Sequence, residues 1–307
     1  IVMCDNVKNI TMIQLRNVIK DYENIDIEFV DIRKKMHEFS ESFGQTVTDR
    51  KENRLYSGEF TLTIYFRLFI AELFPELDKA VYIDSDTVIN DDIAKLYSVD
   101  IGDAMFGAVR DTFAGKNTIL AHYIENVVGI ERNEYVNSGV LVMNLDKMRR
   151  THLADIFLKL MAEYHFDSVA PDQDYINAIC AKDIYFLDKE WNVMPNKGGE
   201  YMARPKLIHF NLFDKPWHYS EIPYEEYFWQ YAAESGFYPL LIKQREQYGD
   251  SERSADRENL KKLLARAENI ADGDGVKFSD VVGNRFVENS DFVRDSDFVR
   301  DSSDAVK

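Results

Sequence analysis

Asp84-Ser85-Asp86 follows the apolar run Ala80-Val81-Tyr82-Ile83. Side chains of an extended strand alternate, so residues i and i+2 project to one side and both carboxylates stand over the strand end. Adjacent carboxylates repel unless a cation or hydrogen-bond donors lie between them. The spacing points to a bound divalent cation; the simpler reading is a solvated strand-end turn. Without a cation, one of the two carboxyls is expected to resist ionisation. His209 closes a second apolar run, Leu207-Ile208-His209-Phe210, and Lys215-Pro216-Trp217-His218 follows it. Alone, a strand-end histidine reads as a structural hydrogen-bond donor. Beside carboxylates, neutral imidazole suits Mn²⁺ or another borderline divalent ion, and a nearby lysine suits a phosphate. Tyr135-Val136-Asn137-Ser138-Gly139-Val140 sets small polar residues just ahead of another buried run. Pro171-Asp172-Gln173-Asp174 reads as a helix start, where free backbone N–H groups and the dipole favour acids. On its own, Asp172 is a simple N-cap there.

The elements that must carry these residues alternate. Up to about residue 215, short β-branched runs at 1–4, 25–32, 80–83, 105–109, 139–144, 184–187 and 207–210 predict buried strands. Amphipathic patterns at 11–21, 61–73, 153–164 and 173–181 predict helices between several of them. Such alternation implies an α/β fold with a mostly parallel, doubly wound sheet and helices on both faces. Ligands of these sheets bind at the carboxyl ends of strands, where Asp84, Asp86 and His209 lie. The stretch 223–248 looks helical and aromatic-rich, and 256–269 reads as a charged amphipathic helix. Three hexads follow, beginning at Phe286-Val287, Phe292-Val293 and Phe298-Val299. They are too few to stack a solenoid core, so an acidic tail or linker is the favoured reading over a β-helix edge or docking motif. The expected division is a catalytic domain at 1–220, a helical extension at 221–270 and the hexad tail at 271–307, which is expected to add little to the core.

The whole chain has 307 residues and a formal net charge of −17, which argues against a broad basic surface for nucleic acid. With 45% apolar and 13% aromatic residues it is neither disordered nor fibrous. Its 2 cysteines, Cys4 and Cys180, cannot form a disulfide scaffold and read as reduced thiols of a cytoplasmic protein. No apolar run reaches the roughly 18–20 residues that span a bilayer; peripheral contact with the inner face of a membrane stays open.

Two enzyme classes use an Asp-x-Asp after four apolar residues. In a haloacid-dehalogenase-type phosphatase the first Asp is a nucleophile, and a Gly usually precedes the Thr; Asp86-Thr87 lacks that Gly. In a nucleotide-sugar glycosyltransferase the carboxylates hold a cation on the donor's diphosphate. Tyr65-Phe66-Arg67, Val81-Tyr82-Ile83-Asp84-Ser85-Asp86 and Val136-Asn137-Ser138-Gly139-Val140 decide between them, with Pro171-Asp172-Gln173-Asp174-Tyr175-Ile176-Asn177 and His209-Phe210…Lys215-Pro216-Trp217-His218. In this order and spacing, across about residues 1–220, the chain resembles the retaining nucleotide-sugar glycosyltransferases of family 8. These include the bacterial lipooligosaccharide galactosyltransferases.

The resemblance implies a GT-A fold and transfer of a hexose, glucose or galactose, from a UDP-sugar to a glycan, glycolipid or glycoprotein acceptor, as in cell-surface glycan synthesis. It implies Mn²⁺ (or Mg²⁺) on Asp84, Asp86 and His209, with Lys215 at the donor's phosphates, Arg67 at its sugar or phosphate end, and Ser85 and Ser138 among the donor-binding residues. Asp111, Asn137 and Asp172 would fix the sugar hydroxyls, and Gln173 would sit beneath the anomeric carbon. An amide is a poor nucleophile, which favours front-face attack; Asp174 is the residue to suspect for a covalent route. Two departures stand out. Residues 1–4 align with the family's second strand and 26–32 with its third, so the resemblance implies that the uridine contacts, with the family's first strand and helix, lie upstream of Ile1. Leu212 stands where close relatives carry Gly, so a backbone approach to phosphate there would be rearranged. A catalytically impaired GT-A domain acting as a binding module is the alternative function.

Overall fold

The computed structural model describes residues 1–5, 7–32, 62–196 and 201–282 of the chain. Its strands are β1 (Val2–Cys4), β2 (Phe29–Asp31), β3 (Lys79–Ile83), β4 (Thr87–Ile89), β5 (Phe106–Arg110), β6 (Val136–Asn144), β7 (Ile184–Phe186) and β8 (Leu207–His209). All but β4, which no predicted run covers, fall close to the apolar runs that predicted them, because β-branched runs bounded by Asp, Asn and Gly mark strand position well. Their directions differ from expectation. β3, β6, β5 and β7 form one four-stranded sheet in that order. β6 runs antiparallel to both neighbours, and only β7 lies parallel to β5. The sheets are therefore small and mixed instead of mostly parallel. The parallel reading assumed that every helical connection is a crossover. β6 instead returns between β3 and β5 and pairs along both of its edges.

β1 and β2 do form a parallel pair, joined through α1 (Asn9–Ile19). β4 and β8 make a separate antiparallel ladder in which Thr87 faces His209. Alternation along β6 serves two cores: Leu141 and Met143 join one apolar cluster, Val140 and Val142 the other. A strand covered on both faces reads as one continuous apolar run, as β6 does.

The helices after α1 are α2 (Ile70–Leu73), which continues a 3₁₀ segment at Leu62–Phe69, then α3 (Ile93–Tyr97), α4 (Thr112–Lys116) and α5 (Thr118–Tyr123). There follow α6 (Leu145–Arg150), α7 (Leu153–Tyr164), α8 (Pro171–Cys180), α9 (Glu225–Glu234), α10 (Tyr238–Gln247), α11 (Asp250–Asp272) and α12 (Phe278–Val281). Among the described residues no helix is long and apolar enough to cross a membrane. α8 is the unusual one. Asp172, Gln173, Asp174 and Asn177 are all buried in it, and buried polar groups of that kind need partners.

The start of the expected tail is part of the core. Phe278 is fully buried, stacked on Phe166 at 4.1 Å between ring centroids and edge-on to Tyr175 at 4.9 Å. Ala271, Val281 and Val282 are buried with it. Gly129, at φ +85°, makes room: a Cβ there would come within 2.8 Å of Ser279. Averaged over 271–307 the composition is polar, and that average hid one short apolar anchor. The hexads themselves lie outside the described residues.

Candidate functional site

Two ladders and one glycine bring the sequence-predicted ligands together. His209 ends β8 and pairs with Thr87 of β4, and the Phe210 N–H donates to the Asp86 carbonyl at 2.9 Å. Asp84 follows β3, and its own N–H donates to the Gly139 carbonyl of β6 at 2.8 Å. Gly139 is where the two halves meet. A Cβ there would lie 2.2 Å from His209 Cε1 and 2.7 Å from Asp84 Oδ2, so only a residue without a side chain lets the ring cross β6.

The imidazole Nε2 stands 3.2 Å from Asp86 Oδ1 and 3.7 Å from Asp84 Oδ2. One ligand atom from each of the three residues lies within 4.8 Å of the others. Two carboxylate oxygens and one imidazole nitrogen are a donor set that fits Mn²⁺ or Mg²⁺. Lys215 Nζ donates to Asp86 Oδ2 and to the Phe210 carbonyl. Ser85 is exposed between the two aspartates.

The expected reluctance of one carboxyl to ionise is not seen at Asp86. Burial pushes its carboxyl up, but the hydrogen bond and charge of His209, with those of Lys215, outweigh burial and hold it well below the usual carboxylate range. Protein cations already stand where repulsion between the aspartates would otherwise act.

Arg67 is buried and spends its guanidinium on the protein. Nη1 donates to the Ser138 carbonyl at 2.6 Å and to Ser138 Oγ at 3.0 Å, while Nη2 donates to Asp84 Oδ1 at 3.0 Å. Nε lies 3.2 Å from Asp172 Oδ2. Asp84 Oδ1 also accepts from the Tyr82 hydroxyl at 2.7 Å. Asp172 does not cap α8, whose N-cap position is Ala170. Its Oδ2 accepts from Ser138 Oγ at 2.9 Å. Burial and then the charge of Asp84 raise the Asp172 carboxyl, against the pull of Arg67.

Gln173, Asp111 and Asn137 form one buried pocket. Gln173 Oε1 accepts from the Ser138 N–H at 3.0 Å and Asn137 Nδ2 at 3.1 Å, and its Nε2 donates to Asp111 Oδ2 at 3.3 Å. Asp111 Oδ1 caps α4 through the Ala114 N–H at 2.9 Å. Asp174 is not brought to this group. Fully buried, it accepts from the hydroxyls of Ser168 at 2.5 Å, Tyr135 at 2.5 Å and Tyr123 at 2.6 Å. Burial raises its carboxyl and these donors oppose the rise.

Two buried asparagines have parts that sequence reading missed. Asn177 pairs its amide with both the N–H and the carbonyl of Val136, at 2.8 Å each. Asn192 stands between Asn137 and His209. Asn177 was within the quoted helix motif; nothing local marked Asn192.

Leu212 has φ +55°, so the loop ahead of Lys215 keeps a glycine-like backbone on a leucine. Left-handed backbone costs a leucine about 1–2 kcal/mol, partly offset by the extra freedom that glycine gives the unfolded chain. Leu212→Gly is therefore expected to be more stable by roughly 0.5–1 kcal/mol in urea unfolding. A less stable variant would show that the half-exposed side chain contributes more than the strain costs.

The turn carrying Lys215 is buttressed from the C-terminal helices. The N–H groups of His218 and Tyr219 both donate to the Lys215 carbonyl at 2.9 Å. The hydroxyls of Tyr219 and Tyr248 both donate to Asp256 Oδ2 of α11, at 2.7 and 2.6 Å. The His218 ring stacks on Tyr248 with centroids 4.0 Å apart.

Comparison with known proteins gives this arrangement its relatives. The profile of glycosyl transferase family 8 matches residues 1–221. A putative glycosyltransferase of Haemophilus influenzae is 30% identical over 135 residues, 44% of this chain and 40% of that protein. Among solved structures, the bifunctional glycosyltransferase WbbM in its apo form is similar with TM-score 0.65 and 22% identity, covering 79% of this chain and 45% of that one. The galactosyltransferase LgtC, solved with donor and acceptor sugar analogues, is similar with TM-score 0.52 and 20% identity over 79% of this chain and 94% of its own. At these identities the two structures show the fold. The chain spans less than half the length of the Haemophilus protein and of WbbM.

Proposed function

Because the chain belongs to glycosyl transferase family 8, we propose that it is a metal-dependent retaining hexosyltransferase that moves glucose or galactose from a UDP-sugar to a glycan, glycolipid or glycoprotein acceptor. The observation that carries this reading is the convergence of Asp84, Asp86 and His209, with Lys215 on the same carboxylate. Mn²⁺ or Mg²⁺ held by those three side chains would offset the charge that grows on the departing diphosphate.

The chain's own residues do the rest. Lys215 swings from Asp86 to the diphosphate and neutralises it as it leaves. Arg67, locked between Asp84 and Asp172, holds both carboxylates in place. Asp111, Asn137, Ser138 and Asp172 orient the sugar hydroxyls, and Gln173 lies under the anomeric carbon. The amide oxygen of Gln173 is already held by Ser138 and Asn137, which supports front-face attack: the departing phosphate takes the acceptor's proton and no bond to the side chain forms. The burial of Asp174 among hydroxyls weighs against a covalent route through it.

The test is hydrolysis of UDP-glucose, UDP-galactose and UDP-N-acetylglucosamine with and without Mn²⁺. Mn²⁺-dependent release of UDP from a hexose donor is expected; no hydrolysis and no UDP binding would favour an impaired GT-A binding module. Lys215→Ala separates charge on the leaving group from cation binding. Turnover should fall at saturating Mn²⁺ by about 10²-fold, while Mn²⁺ binding without donor is not weakened, since Asp86 loses a competitor. Loss of Mn²⁺ binding in that variant would place Lys215 in the cation site's framework instead.

A further inference from the structure

We propose that Asn192 is the positioning residue that decides which nitrogen of His209 faces Asp84 and Asp86, and that it ties that nitrogen to the Gln173 pocket. The proposal rests on the metal-site reading above. Asn192 is 2% exposed and follows the turn Lys189–Trp191. Its Nδ2 lies 2.9 Å from Asn137 Oδ1, and its Oδ1 lies 3.2 Å from His209 Nδ1.

Oxygen and nitrogen of an amide are told apart by their partners, and here two backbone groups settle the matter. The Gly139 N–H, 3.0 Å from the Asn137 side chain, is a donor and needs that side chain's oxygen. The Ser138 N–H, 3.0 Å from Gln173, likewise needs the Gln173 oxygen. Asn137 therefore turns its nitrogen toward Gln173 Oε1 at 3.1 Å and Asp111 Oδ2 at 3.4 Å, both acceptors. The atom of Asn192 that meets Asn137 Oδ1 must then be the NH₂ group. Its oxygen is left facing His209.

A ring nitrogen held against a carbonyl oxygen carries a hydrogen. His209 is thus protonated on Nδ1, and Nε2 is the nitrogen presented to Asp84 and Asp86. Histidines that bind metals typically donate their other ring N–H to an acceptor that fixes ring orientation and tautomer. Asn192 fills that part from a loop that supplies no ligand. A carboxylate at this position could accept from the ring but could not donate to Asn137, so the amide serves both neighbours. The same side chain links the ring to the pocket: Asn192 donates to Asn137, and Asn137 donates to Gln173 and Asp111.

The experiment titrates Mn²⁺ calorimetrically into the 307-residue chain without any donor. Asn192→Leu, which keeps the volume and removes the acceptor, should weaken Mn²⁺ binding about 10–100-fold. Asn192→Asp, which still accepts from Nδ1–H, should stay within about threefold of the parent chain. Unchanged binding in Asn192→Leu, or an equal loss in both variants, would overturn the proposal. A second measurement needs no variant. Long-range ¹H–¹⁵N spectra of the parent chain should show Nδ1 of His209 protonated, with and without Mg²⁺; an unprotonated Nδ1 would overturn the proposal. If the parent chain bound no Mn²⁺, the metal reading would fail, and the nitrogen spectrum alone would decide the Asn192 assignment.

Discussion

Asp86→Asn should lower kcat/KM for transfer from the UDP-sugar by at least about 10²-fold, equivalent to roughly 2.7 kcal/mol of transition-state stabilisation. Three effects of the one atom change add in the same direction. The amide removes a charged oxygen from the group formed with Asp84 and His209, whose Nε2 stands 3.2 Å from Asp86. It also removes the anionic partner of Lys215, leaving the ammonium beside the site on neutral acceptors such as the Phe210 carbonyl. Finally, it leaves His209 facing a neutral group. The half-saturating Mn²⁺ concentration should rise in parallel, with the far-ultraviolet spectrum close to that of the parent chain. Activity within about threefold of the parent would remove Asp86 from the cation site.

Asp174→Ala is the substitution expected to damage the fold most. The carboxylate accepts from Ser168, Tyr135 and Tyr123, all at 2.6 Å or less, and truncation leaves three buried hydroxyls without an acceptor. At about 1–3 kcal/mol for each unsatisfied group, with partial relaxation, the loss should be about 3–5 kcal/mol. In a chain of this size that is a melting-temperature drop of roughly 5–10 °C. Asp174→Asn retains one amide oxygen as acceptor and should lose less. Calorimetric unfolding of the three chains gives the order. Equal stability for Asp174→Ala and the parent would mean that the hydroxyls find water or other acceptors.

The pieces that could be read from sequence were those whose meaning is local. An Asp pair two residues apart after an apolar run announces a shared direction, so Asp84 and Asp86 were legible, and His209 with Lys215 followed from the chemistry that such a pair requires. Strand positions were legible for the same reason, except that of β4, a three-residue strand that directly follows the Asp pair. Strand directions were not: the antiparallel return of β6 is decided by which edges it covers, and hydrophobic alternation carries no sign of that. Asp174 stood as the carboxylate to suspect for a covalent route beside the amide of Gln173, and it lies two residues from Asp172. On a helix those two point in different directions, one toward Arg67 and the other toward Tyr123 and Tyr135. Asn192 has no local signature at all, since its neighbours Asn137 and His209 lie 55 and 17 residues away in the chain. Phe278 was lost in the average of a polar tail.

Asp256 has a bearing on where this chain can be divided. The family match stops at residue 221, and a boundary drawn there would keep Lys215 while discarding the carboxylate on which Tyr219 is anchored. The lysine proposed to meet the leaving group would remain, but its turn would be free at one end. On the proposed function, length after residue 221 therefore helps to hold that lysine in place. A swap of C-terminal helices between family members should travel with the Tyr219 and Tyr248 contacts, or the recipient will bind donor with a slack lysine.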